Sequence, residues 1–180
     1  MDTPRDRLAH LDRAGLLEAV SDPDPAMRYW ACRLLDHHEL DTTVANRMLA
    51  AAEDRNKKVR QAALHTLACE ACKPDDSACF PIDVVGVVLE KLRSDRSLRV
   101  RRAAAGLMMW KNPMEPRILR AFRRVLRDET DPVLRSKAEK ALYFSSARRS
   151  PDGSSRQVQT RPVARNASCQ KSGGSNVCSI

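Results

Sequence analysis

The sequence predicts an all-α solenoid of four antiparallel helix pairs, followed by a disordered C-terminal tail. Three observations support this fold class: a residue template recurs four times, apolar residues fall at helical spacing, and most connections are short. Each predicted pair has an apolar face that it cannot bury alone. We therefore expect the pairs to stack and share one continuous core.

The recurring template centres on an arginine that follows an apolar residue. An acidic residue precedes the arginine by six positions, an alanine follows it by three, and a Leu or Met follows it by seven. The steps between these arginines are 32, 41 and 34 residues. Several position types that recur together at this period are typical of stacked helical pairs. The four acid–arginine sets are Asp22/Arg28, Asp54/Arg60, Asp95/Arg101 and Glu129/Arg135.

The first half of the chain contains two of the predicted pairs. A polar segment over 1–11, which frays or forms a short lead-in helix, precedes helices over 12–20 and 25–37. Pro25 suits a first helical turn, where its missing N–H would have no partner, and Asp24 is placed to cap that turn. The second pair begins at Asp41 and ends with a helix over 57–71.

The second half contains the other two pairs and the tail. A loop over 73–82, rich in Pro and Asp, accounts for the 41-residue step. Short connections elsewhere predict antiparallel neighbours. We assign the solenoid to 1–145 and a disordered basic tail to 146–180, whose Ser, Gly, Arg and Gln cannot offset the entropy of ordering. The predicted helices of this half cover 82–93, 97–110, 116–127 and 132–144.

The net charge of +9 is unevenly distributed along the chain. Residues 1–90 carry 11 basic and 16 acidic groups (−5), 91–127 carry 12 and 2 (+10), and the tail carries six and one (+5). Such asymmetry influences the choice of partner rather than the fold. We expect a cytoplasmic protein with no membrane partner, because no signal segment, ~20-residue apolar run or secreted cysteine framework is evident.

Two segments carry a family resemblance: Asp-Pro-Asp-Pro-Ala-Met-Arg-Tyr-Trp-Ala at 22–31 and Asp-Arg-Ser-Leu-Arg-Val-Arg-Arg-Ala-Ala at 95–104. They resemble HEAT repeats of the short bacterial type, which belong to the armadillo-like helical proteins, and the similarity covers about 12–145. The resemblance implies a right-handed α-α superhelix in which turn acids and helix arginines of adjacent repeats pair as a ladder. It thereby implies structural roles for Asp22, Asp54, Asp95, Arg28, Arg60, Arg101 and Arg135.

Two enzyme classes share this repeat type, and neither fits the residues. The chain resembles deoxyhypusine hydroxylase in repeat type, but that enzyme binds iron through His-Glu pairs just after the repeat arginine. Helical-repeat DNA glycosylases use an aromatic, basic groove, whereas Trp30 and Trp110 fall at different repeat registers. We therefore expect no enzymatic activity. The positions that would hold His-Glu pairs are Tyr29-Trp30, Gln61-Ala62, Arg102-Ala103 and Ser136-Lys137.

The basic block of the third and fourth repeats has two interpretations. It is either a solvated surface or a binding surface for an acidic protein segment or nucleic acid. Seven aromatic residues provide poorly for base stacking, so a protein partner is favoured and the predicted function is a protein-binding scaffold or adaptor. The candidate partner-binding residues are Arg93, Arg96, Arg99, Arg102, Arg117, Arg120, Arg123, Arg124 and Arg127.

A candidate metal or redox site has the spacing His-x3-Cys-x2-Cys-x6-Cys, formed by His65, Cys69, Cys72 and Cys79. On a continuous helix the first three fall within about 60° of each other, away from the apolar stripe. One imidazole and three thiolates would give zinc a closed structural site that holds the loop. The alternatives are three reduced cysteines under a loop, a Cys69–Cys72 pair that oxidises on handling, or a cysteine loop that responds to redox state.

Overall fold

A computed structural model of the chain describes residues 2–69, 72, 82–110 and 115–147. The chain divides into two units, 1–149 and 150–180, and the fold concerns the first. The predicted tail lies almost wholly outside the described residues. Within them the structure is all-helical, as predicted, with nine helices and no strand: α1 Pro4–Leu8, α2 Arg13–Ala19, α3 Pro25–Leu35, α4 Thr42–Ala51, α5 Lys57–Ala68, α6 Val84–Ser94, α7 Leu98–Trp110, α8 Pro116–Asp128 and α9 Pro132–Ala147.

The helices pack as the four predicted pairs, in two layers. α2 packs on α3, α4 on α5, α6 on α7 and α8 on α9, while α1 packs on α3. The second helices form one layer, in which α3 contacts α5, α5 contacts α7 and α7 contacts α9; in the other layer α6 contacts α8. The side chains between the layers form one continuous core, which includes the fully buried Leu35, Met48, Leu64, Met108 and Phe122. No helix of the described residues is long and apolar enough to cross a membrane.

Short polar side chains determine where several helices begin. The carboxylate of Asp24 accepts a hydrogen bond from the Ala26 amide at 2.8 Å, which confirms the predicted cap. Asp41 and Asp83 cap α4 and α6 in the same way. These caps satisfy amide groups that a helix cannot pair internally.

Two helix ends differ from the prediction by three residues, those of α5 and α9. The expected helix over 57–71 ends at Ala68, and Cys69 is already extended, with φ −81° and ψ 102°. Its core-facing side chains end at Leu67 and Ala68, and packing of such a face supplies most helical stability. The last helix continues instead to Ala147, and on its final turns Ser145 is buried and donates to the Leu142 carbonyl at 2.7 Å.

Candidate functional site

The repeat arginines lie at the connections between neighbouring repeats. Arg28 donates from Nε and Nη2 to the carboxylate of Asp54, at 2.7 and 3.1 Å. Its Nη1 donates to the Asp22 carbonyl at 2.8 Å, within its own turn. The guanidinium therefore joins the turn of the first pair to the turn of the second. A spacing of six residues places the backbone carbonyl of the acidic residue within reach of the arginine side chain.

The same arrangement recurs, more deeply buried, in the next repeat. Arg60 donates to both carboxylate oxygens of Asp95 at 2.8 Å, and its Nη1 donates to the Asp54 carbonyl at 2.8 Å. Burial alone would raise the pKa of Asp95, but hydrogen bonds from Arg60 and the Ser97 amide hold its pKa below the ordinary value. The pKa of Asp54 is lowered against burial in the same way, by Arg28 and the Asn56 amide.

The connection to the fourth repeat is different. Arg101 donates to the Asp95 carbonyl at 3.2 Å, but its Nη2 lies 3.4 Å from Glu129 Oε1. The neighbouring Arg102 makes the two-point pair instead, with Asp131 at 3.0 and 2.5 Å, and this hydrogen bonding lowers the pKa of Asp131 to about 2. Arg135 donates to the carbonyls of Leu126 and Glu129. Arg102, expected on the partner surface, thus lies in a connection between repeats.

Six of the nine candidate partner-binding arginines line one groove between α6 and α8, here called the α6–α8 groove, of about 940 Å³. The other three lie elsewhere. Arg96 donates to the Arg55 carbonyl, Arg99 donates to the Gln61 side chain, and Arg102 pairs with Asp131. The six in the groove are Arg93, Arg117, Arg120, Arg123, Arg124 and Arg127.

Acidic neighbours neutralise only part of the charge in the α6–α8 groove. Arg117 pairs with Asp83 and Glu115, Arg93 with Glu90, and Arg127 with Asp128. Arg120 and Arg123 are exposed and have no ion-pair partner among the described residues. Helix α8 contains five arginines and one aspartate, which gives it a net charge of +4.

The floor of the α6–α8 groove is apolar. Leu89, Leu92, Ala121 and Val125 line it beneath the arginines, and Leu89 and Ala121 are partly exposed. The opposite face of α8 faces the core, where Phe122 and Ile118 are fully buried. Helix α8 therefore has two faces. One packs into the core, and the other presents arginines to the groove, next to its apolar floor.

The structure brings three of the four candidate metal ligands together. His65 Nε2 lies 3.4 Å from Cys72 Sγ, which lies 3.2 Å from Cys69 Sγ, and the three donor atoms are all within 4.8 Å of one another. The premise that all three share a helical stripe is wrong, because α5 ends before Cys69. Cys79 lies outside the described residues.

A fourth group at this cluster, Asp36, was missed from the sequence. It caps the C-terminus of α3, its side chain is fully buried, and its Oδ2 lies 3.1 Å from His65 Nε2. One sequence signal points to it: Asp36 stands eight residues after its repeat arginine, where the other repeats have Ala68, Met109 and Tyr143. An acid in a position that is apolar elsewhere in the repeats indicates a local role.

The two cluster cysteines are reduced in the structure. Their sulfur separation of 3.2 Å exceeds the ~2.05 Å of a disulfide. Burial, with hydrogen bonds involving Cys69 and the Asp36 carboxylate, raises the pKa of Cys72 to about 12. Reactive redox cysteines occupy electropositive surroundings that lower the thiol pKa. The surroundings of Cys72 have the opposite effect on the pKa of its thiol.

Comparison with known proteins places the repeats in a family. A family model for HEAT repeats matches residues 13–80 and 48–143, and no curated protein matches the chain. Seven chains of known structure match. One is a crystal structure of an engineered protein, 18% identical and with a TM-score of 0.51, and the match covers 75% of this chain and 62% of that one. That likeness concerns the fold alone. With its repeats matched over more than half its length, the chain belongs to the HEAT-repeat family.

Proposed function

We propose that this protein is a non-enzymatic scaffold that binds an acidic, amphipathic segment of another protein in the α6–α8 groove. The observation that carries the proposal is the pair Arg120 and Arg123, which are exposed and have no ion-pair partner among the described residues. HEAT repeats are helical scaffolds that typically mediate protein interactions. Both features favour binding rather than catalysis.

The chemistry of the α6–α8 groove indicates the type of segment. An amphipathic helix lays its apolar residues into an apolar groove, and here Leu89 and Ala121 supply that floor. Carboxylates on the flanks of the bound segment would meet Arg120 and Arg123 at the rim. Complementary charge of this kind increases the rate of association and selects partners, and its effect weakens as salt concentration rises.

Nucleic acid is the second candidate, because five arginines on one helix also suit a phosphate backbone. The groove lacks what single-stranded nucleic acid usually requires. Base stacking needs exposed aromatic rings, and the aromatic residue of α8, Phe122, is fully buried. The apolar floor favours a peptide.

Charge reversal of the two unpaired arginines tests the proposal. Tagged full-length chain is used to capture partners from lysate at several salt concentrations, with nuclease present, and bound proteins are quantified by mass spectrometry. We expect the Arg120→Glu/Arg123→Glu variant to lose salt-sensitive partners that carry acidic amphipathic segments. A matched control, Arg7→Glu/Arg47→Glu, makes the same charge change at exposed positions outside the groove and should retain them.

Two outcomes contradict the proposal. If the wild type and the groove variant captured the same proteins with the same salt dependence, the arginines would be a solvated surface that binds no partner. Loss of capture on nuclease treatment, together with direct binding of purified chain to an oligonucleotide, would favour the nucleic-acid alternative.

A further inference from the structure

We propose that Asp36, His65, Cys69 and Cys72 form a four-ligand zinc site that joins the C-terminal ends of α3 and α5. The inference is independent of partner binding in the α6–α8 groove, which is formed by other helices. It also differs from the ligand set that the sequence suggested, because Asp36 takes the place assigned to Cys79.

Three of the separations between donor atoms are close to those that a tetrahedral zinc ion would need. Typical zinc distances of about 2.3 Å to sulfur and about 2.0–2.1 Å to nitrogen and oxygen predict edges of roughly 3.8 Å (S···S), 3.5 Å (N···S) and 3.3 Å (N···O). The observed separations are 3.2 Å between the sulfurs, 3.4 Å from His65 to Cys72 and 3.1 Å from His65 to Asp36. Asp36 lies beside His65 but outside the trio whose donor atoms are all within 4.8 Å of one another, so its carboxylate would move toward the ion to complete the site.

The chemical identity of the donors selects the metal class. Two sulfurs with an imidazole nitrogen are typical of zinc sites, and magnesium or calcium would require oxygen ligands. Asp36 supplies a carboxylate whose side chain is fully shielded from solvent. Buried charges in proteins are usually paired or coordinate a metal, so this environment suits a divalent cation.

Four protein ligands leave no open coordination position, which assigns the ion a structural role. Asp36 belongs to the first repeat, His65 is on α5 of the second, and Cys72 lies beyond the end of α5. A bound zinc would therefore join two repeats and hold the start of the connection to α6. Because zinc binds the folded arrangement, it should raise the Tm of the chain, by about 5–10 °C at a hundredfold excess over Kd.

Metal content provides the first test. Full-length chain without a His tag, purified under reducing conditions and supplied with zinc chloride, is desalted and measured by mass spectrometry of the metal. We expect about one zinc per chain, less than a tenth of an equivalent in Cys69→Ser and Cys72→Ser, and an unchanged content in Cys169→Ser, a control from the tail. A chain with reduced thiols that binds less than a tenth of an equivalent has no such site.

Cobalt(II) in place of zinc tests which residue is the fourth ligand. Its thiolate charge-transfer absorbance scales with the number of bound sulfurs, so Cys79→Ser should leave a two-sulfur spectrum unchanged. Asp36→Cys should increase that absorbance by about half, because it adds a third thiolate. Asp36→Asn should weaken zinc binding at least tenfold in a chelator competition, whereas Asp12→Asn, at an exposed helix cap, should not.

The opposite pattern would overturn the assignment of Asp36. If Cys79→Ser abolished binding, or if Asp36→Cys left the cobalt spectrum unchanged, the fourth ligand would be another residue. Circular dichroism of each metal-free variant shows whether the fold is retained. If Asp36→Asn folds poorly, its weak zinc binding is uninformative. Asp36→Cys then decides the question, because its test is a gain of cobalt absorbance rather than a loss of binding.

Discussion

Arg60 and Asp95 form a two-point ion pair between the second and third repeats, with Nε–Oδ2 and Nη2–Oδ1 distances of 2.8 Å. The side chains are only 4% and 2% exposed. The third nitrogen of the guanidinium donates to the Asp54 carbonyl, and the Ser97 amide donates to Asp95. Each side chain therefore makes hydrogen bonds both to its own turn and to the other side chain. The pair thus couples two turns whose acidic residues, Asp54 and Asp95, are 41 residues apart along the chain.

Removal of Asp95 should destabilise the solenoid strongly. Asp95→Ala leaves Arg60 charged and buried without its carboxylate, which typically costs about 3–5 kcal/mol. The free energy of unfolding in urea measures the loss. The double variant Arg60→Met/Asp95→Leu replaces the pair with apolar groups and should be clearly more stable than Asp95→Ala. A loss below about 1 kcal/mol in Asp95→Ala would contradict the account of this pair.

Acid should unfold the repeats through the ladder carboxylates. The folded-state pKa values of Asp54 and Asp95 lie below their ordinary value of 3.8, so their contribution to stability is present above pH 3.8. It is lost as the pH falls from there through the lower folded-state pKa values, because the unfolded chain then binds more protons. Urea midpoints measured from pH 7 to pH 2 test this. In Asp95→Asn the slope below pH 4 should be shallower than in the wild type.

The fourth repeat should open before the second. Its connection relies on Arg101, 3.4 Å from Glu129, and on Arg102, whose side chain is 39% exposed, rather than on a buried pair. A pair with one partly exposed partner contributes less than a buried pair, and among the described residues the fourth repeat packs against the third repeat on one side. Native-state hydrogen exchange should show faster exchange in α9 than in α5. Equal protection of the two helices would mean that the solenoid opens as one unit.

The described cysteines should differ in their reactivity with maleimide. Cys32 is fully buried, and burial raises its pKa to about 12, so it should react only on unfolding. Cys69 is partly exposed and should react first in metal-free protein, and Cys72, also partly exposed, should react more slowly because its pKa is raised to about 12. Peptide mapping after timed labelling gives the order. Zinc at the proposed site should slow labelling of Cys69 and Cys72. If Cys32 were labelled as fast as Cys69 in metal-free protein, the packing of α3 would be contradicted.

The fold was predictable because the repeated residues of the template make the same contact in successive repeats. An acid six residues before an arginine lets the guanidinium reach its own turn, and the recurrence of that spacing reveals the repeat. The pairing at the third connection was not predictable in the same way. Arg101 and Arg102 are adjacent in sequence, and the packing of α7 against α9 decides which of them meets Asp131.

The cluster of Asp36, His65, Cys69 and Cys72 was also predictable only in part. The spacing of His65, Cys69 and Cys72 is visible in sequence, although the helical stripe used to group them ends at Ala68. Asp36 is 29 residues from His65 and approaches it only because α3 packs against α5. A contact of that separation depends on tertiary packing. Comparison of equivalent repeat positions was the one sequence signal that pointed to it.

Photo-crosslinking from the α6–α8 groove tests the central proposal most directly. A photoreactive amino acid replaces Arg124 in the groove or, as the control, Arg47 on the exposed surface of α4, and the captured peptides are sequenced by mass spectrometry. We expect position 124 to capture acidic amphipathic segments, with yields that fall as salt rises and that Arg120→Glu/Arg123→Glu abolishes. Capture of the same segments from position 47, or none from position 124 while the protein partner still binds, would contradict the proposal.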